Sequence, residues 1–238
     1  PASVRVTTQS LDGTPEPAGG TVAIHQLRQP TRPVRARAGS GFNRWGYLGE
    51  SPQSSTNDLS RIENWPLAGK LAEQRFTTGT NGETKLSFPL PAGAYKVVIA
   101  TKDRFGKDVR GERVLRVVQP DAARLAFPIA NLLAAPRWSV EPGSEFLALW
   151  GTGYENGRAF VELTHRGKPL SRFWTAAGAT QHAIRHAVGE ELRGGFGVTV
   201  TFVHENRAYT ESRQVVVPWS NKEDRKSTRL NSSHVALS

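Results

Sequence analysis

Three stretches decide the fold: residues 146–162, FLALWGTGYENGRAFVE; residues 195–209, GFGVTVTFVHENRAY; and residues 215–222, VVVPWSNK. Each is a short apolar or alternating run closed by Gly, Asn or Pro. That is the pattern of an antiparallel β-sandwich, in which strands are brief and turns frequent. Reading outward, 138–143 forms a strand and turn, 159–165 a strand, 166–169 a turn, and 170–175 a further strand. Residues 197–204 and 208–218 complete the unit.

The segment 176–188 supports two readings. On a helix, His182 and His186 share a face at the spacing of a two-His zinc pair. On a strand, 182, 184, 186 and 188 share a face, with Ile184 and Val188 buried. No Glu follows His182 and no third ligand is evident, so zinc is not expected.

A second set of strands lies N-terminal to this unit. Residues 3–8 and 21–27 alternate, with Leu11–Thr14 and Pro15 forming turn chemistry between them. Strand signals resume at 74–78. The Asn81-Gly82 pair then predicts a hairpin into 84–89, followed by 94–101, a turn at 103–106, and 114–118. This amounts to about seven strands, the number of an Ig-like sandwich. Between Arg28 and about Arg75 the pattern lapses for roughly 45 residues, long for a compact domain. Trp45 and Trp65 are expected to anchor part of this insertion on the sandwich.

The expected fold class is therefore all-β: two tandem Ig-like or fibronectin-III-like antiparallel β-sandwiches. The expected domains are 1–120 with an insertion at about 28–75, a linker at 121–137, a second sandwich at 138–222, and a disordered tail at 223–238. The linker is read as a short helix or an extended connector, with Pro128 weakening the helix and room for one edge strand. The run RKSTRLNSSHVALS at 225–238 looks like a sequence fused to reading frames during assembly and carries no functional reading.

Composition narrows the function. The chain has 238 residues, 37% of them apolar, with Gly 23 and Pro 15, enough punctuation for many short elements. Neither Met nor Cys occurs. The absence of Cys removes disulfides, thiolate metal sites and Cys nucleophiles. The opening at Pro1 reads as the interior of a longer protein, with any signal or anchor upstream. No apolar run of about 18 residues exists to span a membrane. Net charge is +10, but the basic residues are scattered. The nearest cluster, Arg28, Arg32, Arg35 and Arg37, lacks interleaved aromatics, so a solvated loop is expected rather than a nucleic-acid contact.

The phrases WGTGYENGRAFVE, RGGFGVTVTFVHENRAY and VPWSNK resemble the bacterial alpha-2-macroglobulin family, chains of serial macroglobulin domains in the cell envelope. The resemblance covers 138–222 best. In the first unit, GTNGETKLSFPLPAGAYKVVIATKDRFGKDV suits a macroglobulin domain and other secreted sandwiches equally. The family resemblance implies a broad-spectrum protease trap, a periplasmic or extracellular location, and neighbouring macroglobulin domains and target proteases as partners. Many members carry a Cys–Gln thioester, which a chain without Cys cannot hold. The Arg-rich stretch 28–37 would be nicked easily, as exposed loops generally are, and is not read as a bait.

Enzyme signatures are missing. There is no G-x-S-x-G elbow, and GSGF at 39–42 does not join a strand to a helix. Glu190 and Glu191 are adjacent, poor geometry for an acid–base pair on a strand, and His204-Glu205 reads as a polar strand end. The expectation is a non-enzymatic chain with no catalytic, cofactor-binding or metal-ligating residues and no cofactor. Two other classes compete with the trap scaffold: a carbohydrate or adhesion module, and a plain spacer. The adhesion reading needs exposed aromatics, for which Trp45, Tyr47 and Trp65 are candidates. Trp138, Trp150 and Trp174 are expected in the core.

Overall fold

The structure, a computed structural model, describes residues 2–36 and 58–219, together with the backbone of 235–237. Trp45, Tyr47, the GSGF run and Arg37 lie outside the described residues, as do 223–234. The described chain is built from β-strands and two single-turn 3-10 helices. It divides into two units, the first comprising 1–90, 94–115 and 127–130, the second 91–93, 116–126 and 131–238.

Unit 1 holds β1 (Ala2–Thr7), β2 (Gly19–Leu27), β3 (Leu67–Thr77), β4 (Glu83–Phe88), β5 (Gly93–Lys102) and most of β6 (Asp108–Val118). Among the described residues that is six strands, where about seven were expected. β6, β5, β2 and β3 lie side by side, and β1 pairs antiparallel with β4. The core draws on the inward positions of the alternating strands: Val22, Ile24 and Leu27 of β2, Val97 of β5, and Phe76 and Phe88. Trp65 anchors the end of the insertion as expected. It is 1% exposed, and its indole N–H donates to the Leu59 carbonyl at 2.8 Å.

Two expectations for this unit are corrected. The third strand begins at Leu67, seven residues before the pattern suggested, because 67–71 is exposed throughout and shows no buried alternation. The Asn81-Gly82 turn does not close a hairpin. β3 pairs with β2 and β4 pairs with β1, so the turn carries the chain from one sheet to the other. The bend is pinned by Thr8, whose N–H donates to the Gly82 carbonyl at 2.8 Å and whose hydroxyl meets that of Thr78 at 2.8 Å. Gly82 sits at φ +67°, and a Cβ there would stand 2.3 Å from the Thr8 carbonyl oxygen, so only glycine fits.

Unit 2 is a three-on-four sandwich. One sheet runs β11 (Gln181–Ala187), β8 (Glu145–Gly151), β7 (Leu132–Ala134). The other runs β10 (Lys168–Trp174), β9 (Ala159–His165), β12 (Phe196–His204), β13 (Arg207–Val215). Two hairpins close with two-residue turns in which both central residues have positive φ: Arg166-Gly167 at 49° and 76°, and Glu205-Asn206 at 46° and 61°. Such turns match the twist of paired strands. The core interleaves Phe146, Ala148 and Trp150 of β8 with Val161, Leu163, Val198, Val200 and Phe202 of the facing sheet. Trp150 and Phe202 meet edge-on at 5.4 Å, as do Phe146 and Phe196.

The expected linker forms no helix. It is a succession of turns and bends that supplies the edge strand β7, and Ala123 accepts from Thr180 N–H at 2.9 Å. The ambiguous segment resolves as a strand, with all seven residues of β11 paired with β8. Within the stretch read as a disordered tail, Val235–Leu237 forms a three-residue strand, β14, parallel to 116–118 of β6.

Candidate functional site

The most chemically distinctive place in unit 2 is at the β7–β13 side, where each sheet presents its end strand. Alternation along β13 turns Tyr209, Glu211 and Val215 toward the interior, while Thr210 and Ser212 face solvent. Trp150 is 0% exposed, so its indole N–H needs an internal acceptor. Asn131, immediately before β7, provides it: Oδ1 accepts from Trp150 Nε1 at 3.0 Å, and Nδ2 donates to Glu211 Oε1 at 2.8 Å. A carboxamide can accept and donate at once, which is what bridging an indole to a carboxylate requires.

A cavity of about 110 Å³ opens beside this bridge. It is lined by Arg116, Asn131, Trp138, Glu211, Arg213 and the stretch 132–135, all within unit 2. Burial pushes the Glu211 carboxyl above the usual glutamate range; the Asn131 hydrogen bond and the charges of Arg213 and Arg116 oppose that shift. Arg116 Nε is buried with no hydrogen-bond partner. Other buried polar groups of the unit have partners: Gln181 donates to the Ala122 carbonyl at 2.9 Å, and the Thr175 hydroxyl accepts from Ala159 N–H at 3.0 Å. Another orphan is Nε2 of His165, whose Nδ1–H donates to the Gly195 carbonyl at 2.7 Å.

The sequence-derived candidates fall in ordinary structural places. On β11, Ile184 and Val188 are buried as the strand reading required. His182 packs on Phe173 at 5.7 Å and His186 on Phe196 at 5.5 Å. Burial lowers the His182 pKa below the usual histidine value. The described residues contain no group of three His, Asp or Glu placed to hold a metal ion. Glu190 and Glu191 are not on a strand but in the 3-10 turn Glu190–Leu192, where Arg193 Nη2 donates to Glu190 Oε1 at 3.0 Å. His204 stacks on Tyr154 with ring centres 3.9 Å apart, and its Nε2 lies 3.7 Å from Glu205. Arg28, Arg32 and Arg35 are exposed.

The aromatic expectations divide. Trp150 is core, and Trp138 is half-buried against it. Trp174 is 54% exposed, contrary to expectation. It ends the edge strand β10 on the outward face, beside Phe160 at 5.1 Å, with the Arg158 guanidinium 5.3 Å from its ring centre. Trp65, a candidate for an exposed row, is buried instead. Asn131 was not anticipated, since it lies in the expected linker. Glu211 was not anticipated either, although the inward register of Tyr209 and Glu211 along β13 is legible in their alternation with Thr210 and Ser212.

No protein-family model matches the chain, and no curated protein matches it. Among solved structures, E. coli alpha-2-macroglobulin in its native conformation aligns with 91% of this chain at 13% identity and a TM-score of 0.31. Salmonella alpha-2-macroglobulin reacted with methylamine aligns with 91% at 13% identity and 0.32. Fibronectin(III)-like modules of Clostridium thermocellum CbhA align with 91% at 9% identity and 0.24, over 86% of that chain. The chain spans 13% of the length of each of the two macroglobulins. The described residues are all-β, in sheets that are antiparallel except where β14 runs parallel to β6, of the Ig-like or fibronectin-III-like sandwich class.

Proposed function

We propose that the chain supplies non-catalytic scaffold domains to a bacterial alpha-2-macroglobulin-like protease trap in the periplasm or on the cell surface. The observation that carries this reading is the wording of 150–222. Two of its phrases fall on β8, β9, β12 and β13 and the turns beside them, and the third begins two residues after β13, all within one folding unit. The residue pairs that could have served catalysis have structural partners: Glu190 is tied to Arg193 and His204 is stacked on Tyr154. The partners would be neighbouring macroglobulin domains of the parent chain and, through the whole protein, target proteases. A thioester would belong to another part of the parent.

The test uses the parent protein. Incubated with trypsin, a trap leaves hydrolysis of a small chromogenic peptide intact while suppressing digestion of a large protein substrate. Equal digestion of the large substrate with and without the parent protein refutes the reading.

One observation favours a second reading, a surface-binding module: the exposed Trp174, flanked by Phe160 and Arg158. Aromatic platforms with an adjacent polar side chain suit sugar rings. Sedimentation of the chain with insoluble peptidoglycan, lost on Trp174→Ala, would support it; no sedimentation would remove it.

A further inference from the structure

The cavity beside Asn131 contains more positive than negative groups. Arg116 and Arg213 bring two guanidinium ions and Glu211 one carboxylate. Glu211 Oε1 already accepts from Asn131, while Arg116 Nε, buried, has no acceptor. A buried guanidinium N–H without an acceptor is unfavourable and is normally answered by an ion or ordered water. The planar guanidinium fork matches a carboxylate in shape and charge, and one added monoanion would balance the two arginines and Glu211. Size agrees: an apolar protein cavity of about 150 Å³ takes up benzene, so 110 Å³ holds acetate. Arg213 is exposed, which places one of the two cations where an incoming anion meets it first.

We propose that this cavity is a binding site for a small monocarboxylate of formate or acetate size, held by Arg116 and Arg213 beside the Asn131–Glu211 pair. The site rests on unit 2 alone and stands or falls independently of the protease-trap reading.

The experiment is thermal unfolding of the full 238-residue chain at pH 7 with increasing sodium acetate. Ionic strength is held constant with sodium chloride, and Trp fluorescence follows the transition, since Trp138 lines the cavity. The expected result is a saturable rise of several degrees in the midpoint, because a ligand that binds only the folded state stabilises it by mass action. Arg213→Gln, at an exposed position, should fold normally and weaken the apparent acetate affinity at least tenfold; Arg116→Gln should abolish the response. If Arg116→Gln fails to fold, the line width of isotope-labelled acetate with the wild type and Arg213→Gln gives the same comparison. A rise that chloride reproduces, no saturable response, or equal affinity in wild type and Arg213→Gln would overturn the proposal and leave a cavity filled by water alone.

Discussion

Replacing Asn131 by Ala should cost unit 2 about 2.5–4.5 kcal/mol. The substitution removes both groups that bridge Trp150 to Glu211. The Trp150 indole is fully buried, so its N–H loses its acceptor, at about 1–3 kcal/mol for an unmet buried donor. The bond from Asn131 to the Glu211 carboxylate is charge-assisted, a class worth about 1.5–3 kcal/mol. Water in the adjoining cavity can replace part of it, which places this second loss at its lower end. Urea unfolding followed by Trp fluorescence reads the result as a lower midpoint with an unchanged slope. Asn131→Asp separates the two parts. It keeps the acceptor for Trp150 but removes the donor and sets a second carboxylate beside Glu211, so its loss should be larger at pH 7 than at pH 4. A loss below about 0.5 kcal/mol for Asn131→Ala, the range of surface substitutions, would refute the view that this residue joins the core to the cavity.

Four further predictions follow from named residues. Glu211 has a raised folded pKa, so the folded state holds a proton that the unfolded chain releases, and stability falls as pH rises from the ordinary glutamate value through the raised one; Glu211→Gln should therefore flatten that decline in a pH series of unfolding curves. His182 has a lowered folded pKa, so the stability its neutral form contributes is lost as pH falls from its unfolded value through the folded one; His182→Leu should remove this acid sensitivity in melts between pH 7 and pH 5. Trp150→Ala should cost about 3–5 kcal/mol, whereas Trp174→Ala should cost under about 1 kcal/mol, the scale of an exposed cation–π contact; chemical denaturation of both variants compares them directly. Gly82→Ala should destabilise unit 1 by at least about 2 kcal/mol, because it adds left-handed strain to the 2.3 Å clash with the Thr8 carbonyl; a change under about 0.5 kcal/mol on calorimetry would contradict that geometry.

Much of this fold was legible because alternation reports burial. Strands with one face inward, such as β2, β9 and β12, carry the apolar period that a sandwich requires. β3 begins early and unseen because its first five residues are exposed, leaving no buried period to detect. The Asn-Gly pair correctly marked a positive-φ bend, but local chemistry does not determine which strand the chain pairs with next. Here hydroxyl contacts from Thr8 and Thr78, distant in sequence, set the crossing. Trp174 misled because a large aromatic in a strand is usually core, yet it shares the outward register with Phe160 at the sheet's edge. The polar site was the least visible part. Asn131 joins Glu211 across 80 residues, and neither residue belongs to a motif. Only the inward alternation of polar residues on β13 hinted at polar groups facing the interior.

The measurement that bears most directly on the scaffold account is the sequence of the source DNA on both sides of this chain, followed by expression of the whole protein. The account predicts further sandwich domains in series and a helical thioester-type domain carrying Cys and Gln. A reading frame that joins these sandwiches to an unrelated catalytic or adhesive domain would contradict it, and would leave the likeness to macroglobulins one of fold alone.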